Sequence, residues 1–344
     1  MTDTTTDQSS LGHKLVKNMS RMTLDRIGKL GSINAENNFD MFAKGNSIAA
    51  LLDETVGQSD SAIIIAAGPS VKRTEPLKRI KESGYNGAII ATDSAMLYCL
   101  REGVVPDLVV TLDPHGDRIV RWFGDPKLST RSLEEEDYFR RQDMDDAFQD
   151  EIKVNDEIIE LLAEYGPKMR IAVASSSSSE VVDRITATGM KAYWWNPFFD
   201  DPDRPNSISR RLWNQNKLPL INAGGNVGTA CWMIAHAVLG KSHVALSGLD
   251  FAYYADTPYE RSQYYREAID LVGKDNLDEV FIHIHNPHLN QDFYTDPAYM
   301  WYRESFLSLV PDAECTTYNC TGGGILFGDG ITFEDLQAFL DRKL

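Results

Sequence analysis

Short apolar runs alternate with amphipathic segments along most of the chain. A continuous short apolar run predicts a strand that is buried on both faces, as in a parallel sheet. Such runs occupy 61–67, 88–92, 108–112, 170–174 and 242–247, and 193–199 is a similar run rich in aromatic residues. Segments with helical spacing separate most of them. The pattern therefore predicts an α/β fold with a Rossmann-like, doubly wound and mostly parallel sheet.

The same pattern suggests how the chain is divided. Residues 1–55 have the spacing of a helical N-terminal lead-in, and 56–330 carry the strand-and-helix alternation of the Rossmann-like domain. A helical and acidic insertion is expected inside this domain at about 117–168. The last segment, 331–344, has the spacing of a closing amphipathic helix.

Polar residues stand where several of the predicted strands end. Ser70, Asp93 with Ser94, Asp113 and Asp250 each follow one of the apolar runs. Ligands of doubly wound sheets bind outside the carboxyl ends of the strands, near the point where the strand order switches. We therefore expect these residues to lie along one rim and to contribute to a ligand site.

The turn Gly68-Pro69-Ser70 follows the first run directly. Gly68 lets a ligand approach the backbone, Pro69 suits the first helical turn, and Ser70 offers a hydroxyl beside the N–H groups of a helix start. The turn is a candidate phosphate seat. The alternative is an ordinary tight turn between a strand and a helix.

A second glycine-rich loop, Gly224-Gly225-Asn226, precedes an apolar helix that contains Thr229. Small residues allow close approach of a phosphate, and Asn226 and Thr229 are possible donors. Ser175 opens a run of five serines at another predicted strand end. Its hydroxyl could bind a ligand, or the run could simply begin a helix.

Transfer to a hydroxyl group needs a general base, and histidine meets this need with the least tuning of its pKa. His115 is the best placed of the seven histidines, because it follows a predicted strand end and lies two residues after Asp113. Asp113 could orient the imidazole or act as the base itself, and the segment could also be only a turn. His283 and His285 are competing candidates, and alternation puts both on one face of a strand. No carboxylate or cysteine nearby completes a clear set of metal ligands, so no metal site is predicted.

Composition excludes several classes of function. The 344 residues carry a formal net charge of −17, which argues against nucleic acid as a partner. Residues 133–160 hold twelve acidic against three basic side chains, as is typical of a solvated helical face. No apolar run is long enough for a membrane span, and the N-terminus lacks the pattern of a signal peptide, so a cytoplasmic protein is expected. The four cysteines have no metal-site spacing.

Six short motifs occur in a defined order. They are Ile-Ile-Ala-Ala-Gly-Pro-Ser at 64–70, Thr-Asp-Ser-Ala at 92–95, Gly-Val-Val-Pro-Asp with Thr-Leu-Asp at 103–113, Gly-Gly-Asn-Val-Gly-Thr-Ala at 224–230, Leu-Ser-Gly-Leu-Asp-Phe-Ala at 246–252 and Asn-Cys-Thr-Gly-Gly-Gly at 319–324. In this order they resemble the motility-associated factor (Maf) glycosyltransferases, which share a domain with the archaeal 6-hydroxymethylpterin diphosphokinases (MptE-like). The resemblance covers about 55–330.

The resemblance implies a Rossmann-like domain similar to that of bacterial sialyltransferases. It also implies transfer of a nonulosonic acid of the sialic, legionaminic or pseudaminic type from a CMP-linked donor to a protein or glycan hydroxyl, flagellin in the Maf branch. For this reaction no obligatory metal is expected. The alternative is pyrophosphoryl transfer from ATP, which would recruit Mg²⁺ through carboxylates. A nucleotide-binding protein without catalysis is the third interpretation.

Overall fold

The computed structural model describes residues 10–129 and 151–342. Its centre is a sheet in which every strand pair of the described chain is parallel, and this confirms the predicted α/β class. The strands of this sheet are β1 (Asn46–Ser47), β2 (Ser61–Ile65), β3 (Ala88–Thr92), β4 (Leu108–Thr111), β5 (Arg170–Ala174), β6 (Lys191–Pro197), β7 (Leu220–Ile221), β8 (His243–Ser247), β12 (Thr316–Asn319) and β13 (Ile331–Phe333). A separate antiparallel sheet contains β9 (Tyr253–Tyr254), β10 (Ile282–Asn286) and β11 (Gln291–Thr295).

The strand order is β1-β6-β5-β4-β3-β2-β8-β12-β13, with β7 also paired to β6. From β2 the chain adds strands in one direction as far as β6. It then returns to the other side of β2 with β8. The order therefore switches between β2 and β8, and the rule for doubly wound sheets puts a ligand crevice at this point, outside the carboxyl ends of the two strands.

Helices pack on both faces of the large sheet, and one packs beside the antiparallel sheet. They are α1 (Leu11–Asn37), α2 (Phe39–Phe42), α3 (Ser70–Thr74), α4 (Pro76–Ser83), α5 (Asp93–Arg101), α6 (Gly116–Ile119), α7 (Glu151–Tyr165), α8 (Ser179–Thr188), α9 (Ile208–Asn216), α10 (Val227–Ala237), α11 (Tyr265–Val272), α12 (Pro297–Leu309) and α13 (Leu336–Leu340). Short 3₁₀ helices span Ile48–Asp53, Val120–Phe123, Gly166–Lys168, Tyr259–Arg261, Lys274–Glu279 and Val310–Asp312.

The alternation of side chains along β2 shows how the core is built. Ile64 lies on the face covered by α10, where it joins the cluster around Trp232. Ile63 and Ile65 lie on the opposite face with Leu77 of α4. All three isoleucines are fully buried. An unbroken apolar run was therefore the correct signal for a central parallel strand.

Two predictions about the ends of the chain need correction. The segment 331–344 does not begin as a helix, because Ile331–Phe333 forms β13, which pairs with β12, and only Leu336–Leu340 is helical. The lead-in is mostly helical, yet Asn46–Ser47 is a strand that pairs with Tyr193 and Trp194 of β6. The outer edge of β6 is thus shared by β1 and, further along, by β7. Much of the predicted acidic insertion lies outside the described residues.

Helix α1 lies over the carboxyl ends of the neighbouring strands β4 and β5. A Cβ at Gly31 would lie 2.6 Å from Phe199 Cζ and 3.1 Å from Ser176 Cβ, so only glycine fits at this contact. Asn34 and Asn38 are buried and donate to backbone carbonyls at the ends of these strands. The helical lead-in is therefore part of the rim where the candidate residues lie.

Candidate functional site

The turn Gly68-Pro69-Ser70 meets Asp250 at the switch between β2 and β8. The Asp250 carboxylate accepts from the Ser70 backbone N–H at 3.2 Å and from the Ser70 hydroxyl at 2.7 Å. Both residues are buried, and a Cβ at Gly68 would collide with the carboxylate. The Ser70 N–H and hydroxyl, which we predicted as phosphate donors, thus bind the carboxylate of Asp250. Binding of a ligand phosphate by these two donors stays a prediction, and it would require displacement of Asp250.

The glycine-rich segment 322–324 covers this contact. A Cβ at Gly323 would lie 2.8 Å from Asp250 Oδ1 and 2.9 Å from Ser70 Cβ, and Gly324 packs against the Asp250 backbone. The reason for glycine in this segment is therefore close packing on Asp250. Phe251, the next residue, has φ of 51°, a left-handed conformation that is rare for a bulky side chain. Strained backbone of this kind clusters at functional sites.

The second loop is more accessible. Gly225 is exposed, and Asn226 and Val227 are half-buried at the start of α10. Asn226 caps this helix, because its Oδ1 accepts from the Thr229 N–H at 2.9 Å while its Nδ2 contacts Thr229 Oγ1 at 2.8 Å. Gly224 and Gly225 both have positive φ, of 54° and 83°. The first N–H groups of a helix have no intrahelical acceptor, so this loop presents donors toward solvent.

Asp93 lies at the carboxyl end of β3 and is almost completely buried. Its carboxylate accepts from Thr111 Oγ1 at 2.8 Å and from the Ser94 N–H at 2.7 Å. Burial raises the pKa of Asp93 to about 7, and the charge of Asp113 adds to this effect. The two aspartates are therefore within electrostatic reach of each other, as their positions at successive strand ends predicted.

Asp113 and His115 form a hydrogen-bonded pair at the end of β4. Asp113 Oδ1 accepts from the His115 N–H and from His115 Nδ1, each at 2.8 Å. Because a carboxylate is an acceptor only, Nδ1 carries the hydrogen and the lone pair of Nε2 is directed away from Asp113. The His115 side chain is 30% exposed. The structure thus has both the ring contact expected of an orienting Asp113 and the backbone contact of a turn capped by this aspartate, and the catalytic role of the pair stays a prediction.

The run of serines after β5 is a packed turn. The Ser175 hydroxyl donates to Asn196 Oδ1 at 2.7 Å, and its side chain is fully buried. Ser178 caps α8 and accepts from the Val181 N–H. Of the two alternatives for this run, the helix start is the one observed, and contact of Ser175 with a ligand stays a prediction. The hydroxyls of Ser176 and Ser177 are buried and have no hydrogen-bond partner among the described residues.

Tyr302 of α12 lies against the loop at Gly225 and within electrostatic reach of Asp113. A Cβ at Gly225 would lie 3.0 Å from the Tyr302 ring, and the Tyr302 hydroxyl is 3.3 Å from that of Tyr264. Burial raises the pKa of Tyr302 to about 12, and the charges of Asp296 and Asp113 contribute to the increase. The phenol therefore stays neutral near the Asp113 carboxylate. The place of Tyr302 at the site follows from the packing of α12 on the loop.

The other histidine candidates lie elsewhere. His283 and His285 are exposed on β10, where His285 Nδ1 contacts Asp292 Oδ1 at 2.7 Å and His283 Nε2 lies 3.2 Å from the Tyr259 hydroxyl. Among the residues that the structure describes, no group of three or more histidine, cysteine or acidic side chains is arranged to hold a metal ion. Within the same part of the chain, no helix is both long and apolar enough to cross a bilayer.

These features define a Rossmann-like α/β protein with a polar rim at the carboxyl ends of β2, β3, β4 and β8. Residues 33–123 match the family described as 6-hydroxymethylpterin diphosphokinase MptE-like. The matched segment contains Gly68, Asp93, Asp113 and His115, so it includes the hydrogen-bonded pair. The resemblance to MptE-like proteins is thereby confirmed over this part of the chain.

Comparison with curated proteins finds no match. Among solved structures, the chain is similar to the Maf glycosyltransferase from Magnetospirillum magneticum AMB-1, with 13% sequence identity and a TM-score of 0.49. The similarity covers 85% of this chain and 38% of the Maf chain, so this protein spans well under half of that structure. A likeness of this degree carries no inference about activity.

Proposed function

We propose that the protein is a transferase that moves a sugar from a nucleotide-linked donor to a hydroxyl acceptor. The observation that carries the proposal is the Asp113–His115 pair, in which Asp113 holds Nδ1 and leaves Nε2 available as a base. In line with the motif resemblance, the donor we propose is a CMP-linked nonulosonic acid, and the acceptor is a hydroxyl of a protein or glycan. We also propose that the protein acts in the cytoplasm.

In the proposed reaction, His115 Nε2 takes the proton of the acceptor hydroxyl as its oxygen attacks the anomeric carbon of the sugar. The bond from this carbon to the phosphate oxygen breaks, and CMP leaves with the electron pair. Asp113 stabilises the imidazolium that forms, because its carboxylate already holds the Nδ1 hydrogen. The proton, the electron pair and the leaving group are thus accounted for without a further reactant.

The donor phosphate is proposed to bind at the loop Gly224-Gly225-Asn226 and the first turn of α10. This loop is accessible and ends in the N-terminus of an eleven-residue helix, which favours an anion. The Ser70 donors at the other predicted phosphate seat already bind Asp250. The accessible loop is therefore the better of the two.

Pyrophosphoryl transfer from ATP is the second candidate, and the match of 33–123 to the MptE-like family favours it. His115 could also deprotonate the hydroxymethyl group of a pterin. In that reaction the rim carboxylates Asp93, Asp113 and Asp250 would be the candidate Mg²⁺ ligands, and each of them also accepts from a protein donor, Thr111, His115 and Ser70 respectively.

Calorimetric titration with cytidine, guanosine and adenosine nucleotides separates the two candidates. We expect CMP to bind more tightly than ATP in the absence of metal. Preference for ATP with Mg²⁺ would instead support the diphosphokinase. If none of the nucleotides binds, both proposed activities, sugar transfer and pyrophosphoryl transfer, are contradicted.

A further inference from the structure

Asn34 of α1 connects the ends of two neighbouring strands. Its Nδ2 donates to the carbonyl of Pro114 at 3.0 Å and to the carbonyl of Ser176 at 2.9 Å. Pro114 stands between Asp113 and His115, so the first of these bonds is made inside the segment that carries the base. Both hydrogens of one amide are thus used on two backbone carbonyls that follow β4 and β5.

Other contacts hold the same segment, since the His115 carbonyl accepts from the Ile119 N–H at 3.2 Å and Pro114 is buried. The end of β4 touches the serine run at Gly116, where a Cβ would lie 2.7 Å from Ser178 Oγ. Asp113 and His115 themselves are partly exposed, whereas Asn34 is only 7% exposed. A buried amide that holds the backbone beneath two partly exposed side chains determines the direction in which those side chains point.

We propose that Asn34 is a positioning residue for His115. By holding the Pro114 carbonyl against the end of β5, Asn34 keeps His115 Nδ1 hydrogen-bonded to Asp113 Oδ1. Nε2 then stays the nitrogen that can accept a proton. The inference rests on the proposed function, because it takes the Asp113–His115 pair as the base of the transfer reaction. Its consequence is that α1, from the lead-in that precedes the Rossmann-like part, belongs to the catalytic apparatus.

Asn38 provides a matched control four residues further on. Its Nδ2 donates to the carbonyls of Ser175 at 3.0 Å and Ser177 at 2.7 Å, and it is also buried. It therefore anchors α1 to the same serine run with the same number of hydrogen bonds. It makes no hydrogen bond to the β4 end, so Asn38→Leu removes the anchoring without removing the contact to Pro114.

The test compares the ¹⁵N NMR signals of the His115 ring in the parent, Asn34→Leu and Asn38→Leu proteins, assigned with His115→Gln. The parent and Asn38→Leu should show hydrogen on Nδ1. Asn34→Leu should show loss of this signature and transfer of the hydrogen to Nε2. In a sugar-transfer assay, kcat of Asn34→Leu should fall by about 10²-fold, as expected for a displacement of roughly 1 Å, with KM nearly unchanged.

If Asn34→Leu does not fold, Asn34→Ala replaces it, since water can then reach the two carbonyls while the amide contact is still lost. A parental ring signature in a folded Asn34 variant overturns the proposal. Equal changes in the Asn34 and Asn38 variants also overturn it, because docking of α1 as a whole would then be responsible. The NMR result needs no substrate, so it is independent of whether the transferase assay succeeds. Absence of the Nδ1 signature in the parent would instead contradict the proposed base.

Discussion

The Asp250 carboxylate occupies the position at the Ser70 turn that an anionic ligand would take. One carboxylate oxygen accepts from the Ser70 N–H and the other from the Ser70 hydroxyl. The two residues are 180 positions apart in the chain and join the turn after β2 to the segment after β8. The contact therefore joins the two halves of the sheet, which extend to opposite sides of the switch between β2 and β8.

This contact should contribute measurably to stability. We expect Ser70→Ala and Asp250→Ala each to lower the free energy of unfolding, because each removes the buried hydrogen bond between the Ser70 hydroxyl and the Asp250 carboxylate. In a double-mutant cycle measured by urea denaturation, the coupling should be about 1.5–3 kcal/mol, as for hydrogen bonds to charged groups. Additive effects of the two substitutions would show that the pair does not act as a unit.

The Asp113–His115 pair gives a prediction for turnover. His115→Gln and Asp113→Asn should each lower kcat by roughly 10² to 10⁴-fold, since each removes the base or its orientation. Nucleotide affinity should stay near the parental value. His285→Gln is the matched control, because His285 makes the same kind of contact with Asp292 on the exposed β10–β11 hairpin. Loss of turnover in His285→Gln, with none in His115→Gln, would assign the base to the hairpin.

The loop before α10 gives a prediction for nucleotide binding. A Cβ at Gly225 would collide with the Trp301 ring, and its φ of 83° also disfavours a side chain. Gly225→Ala should therefore weaken nucleotide binding by about tenfold or more in calorimetry. Gly240→Ala is the control at the other end of the same helix, since φ is 65° there and no atom lies within 4 Å of a Cβ. Equal affinities in the two variants would exclude the loop as the phosphate site.

The buried Asp93 makes stability depend on pH. Because burial raises the pKa of Asp93 from its ordinary value of about 4 to about 7, the folded state binds a proton that the unfolded state has lost. The contribution of this proton is fully present below about pH 4 and is lost as the pH rises through about 7. Asp93→Asn should therefore become more stable relative to the parent as the pH rises, by at least about 1 kcal/mol between pH 4 and 8.

Urea denaturation at several pH values tests this. Asn pairs imperfectly with Thr111 and Ser94, but that cost does not depend on pH and cancels in the comparison. Asp296→Asn should behave in the same way, because burial also raises the pKa of Asp296 to about 7. A difference between Asp93→Asn and the parent that stays constant with pH would mean that Asp93 is ionised in the folded protein throughout.

Metal removal separates the two candidate reactions. Departure of CMP can be assisted by protein donors alone, whereas pyrophosphoryl transfer needs Mg²⁺ to neutralise the phosphate charge. Turnover should therefore persist in EDTA. Complete loss of activity in EDTA that Mg²⁺ restores would favour the diphosphokinase.

The sequence predicted β2, β3, β4, β5, β6 and β8 well and the contacts between strands poorly. The runs at 61–67 and 88–92 are local signals, and burial on both faces follows from an unbroken apolar composition. Ser70 and Asp250 were both predicted as ligand residues, because each follows a strand. That they bind each other depends on β8 lying next to β2, and strand order is not encoded in any short segment.

The site was predictable where its residues are close in sequence. Asp113 and His115 are two positions apart, so their contact could be inferred from a turn. Asn34 could not be recognised, because an asparagine in a helix has no distinctive pattern until the carbonyls it binds are known. The strand β13 was also missed, since three residues are too few to show alternation.

The two-residue strands β1 and β7 together cover the outer edge of β6, and β13 ends the sheet on the opposite side with three residues. Exposed strand edges are templates for pairing with other chains, and short edge strands blunt this tendency. A chain that began after residue 55 would lose β1 and leave the β6 backbone at Tyr193 and Trp194 unpaired on that side. The lead-in thus covers part of the edge of an aromatic strand, and we expect a chain without it to self-associate more readily.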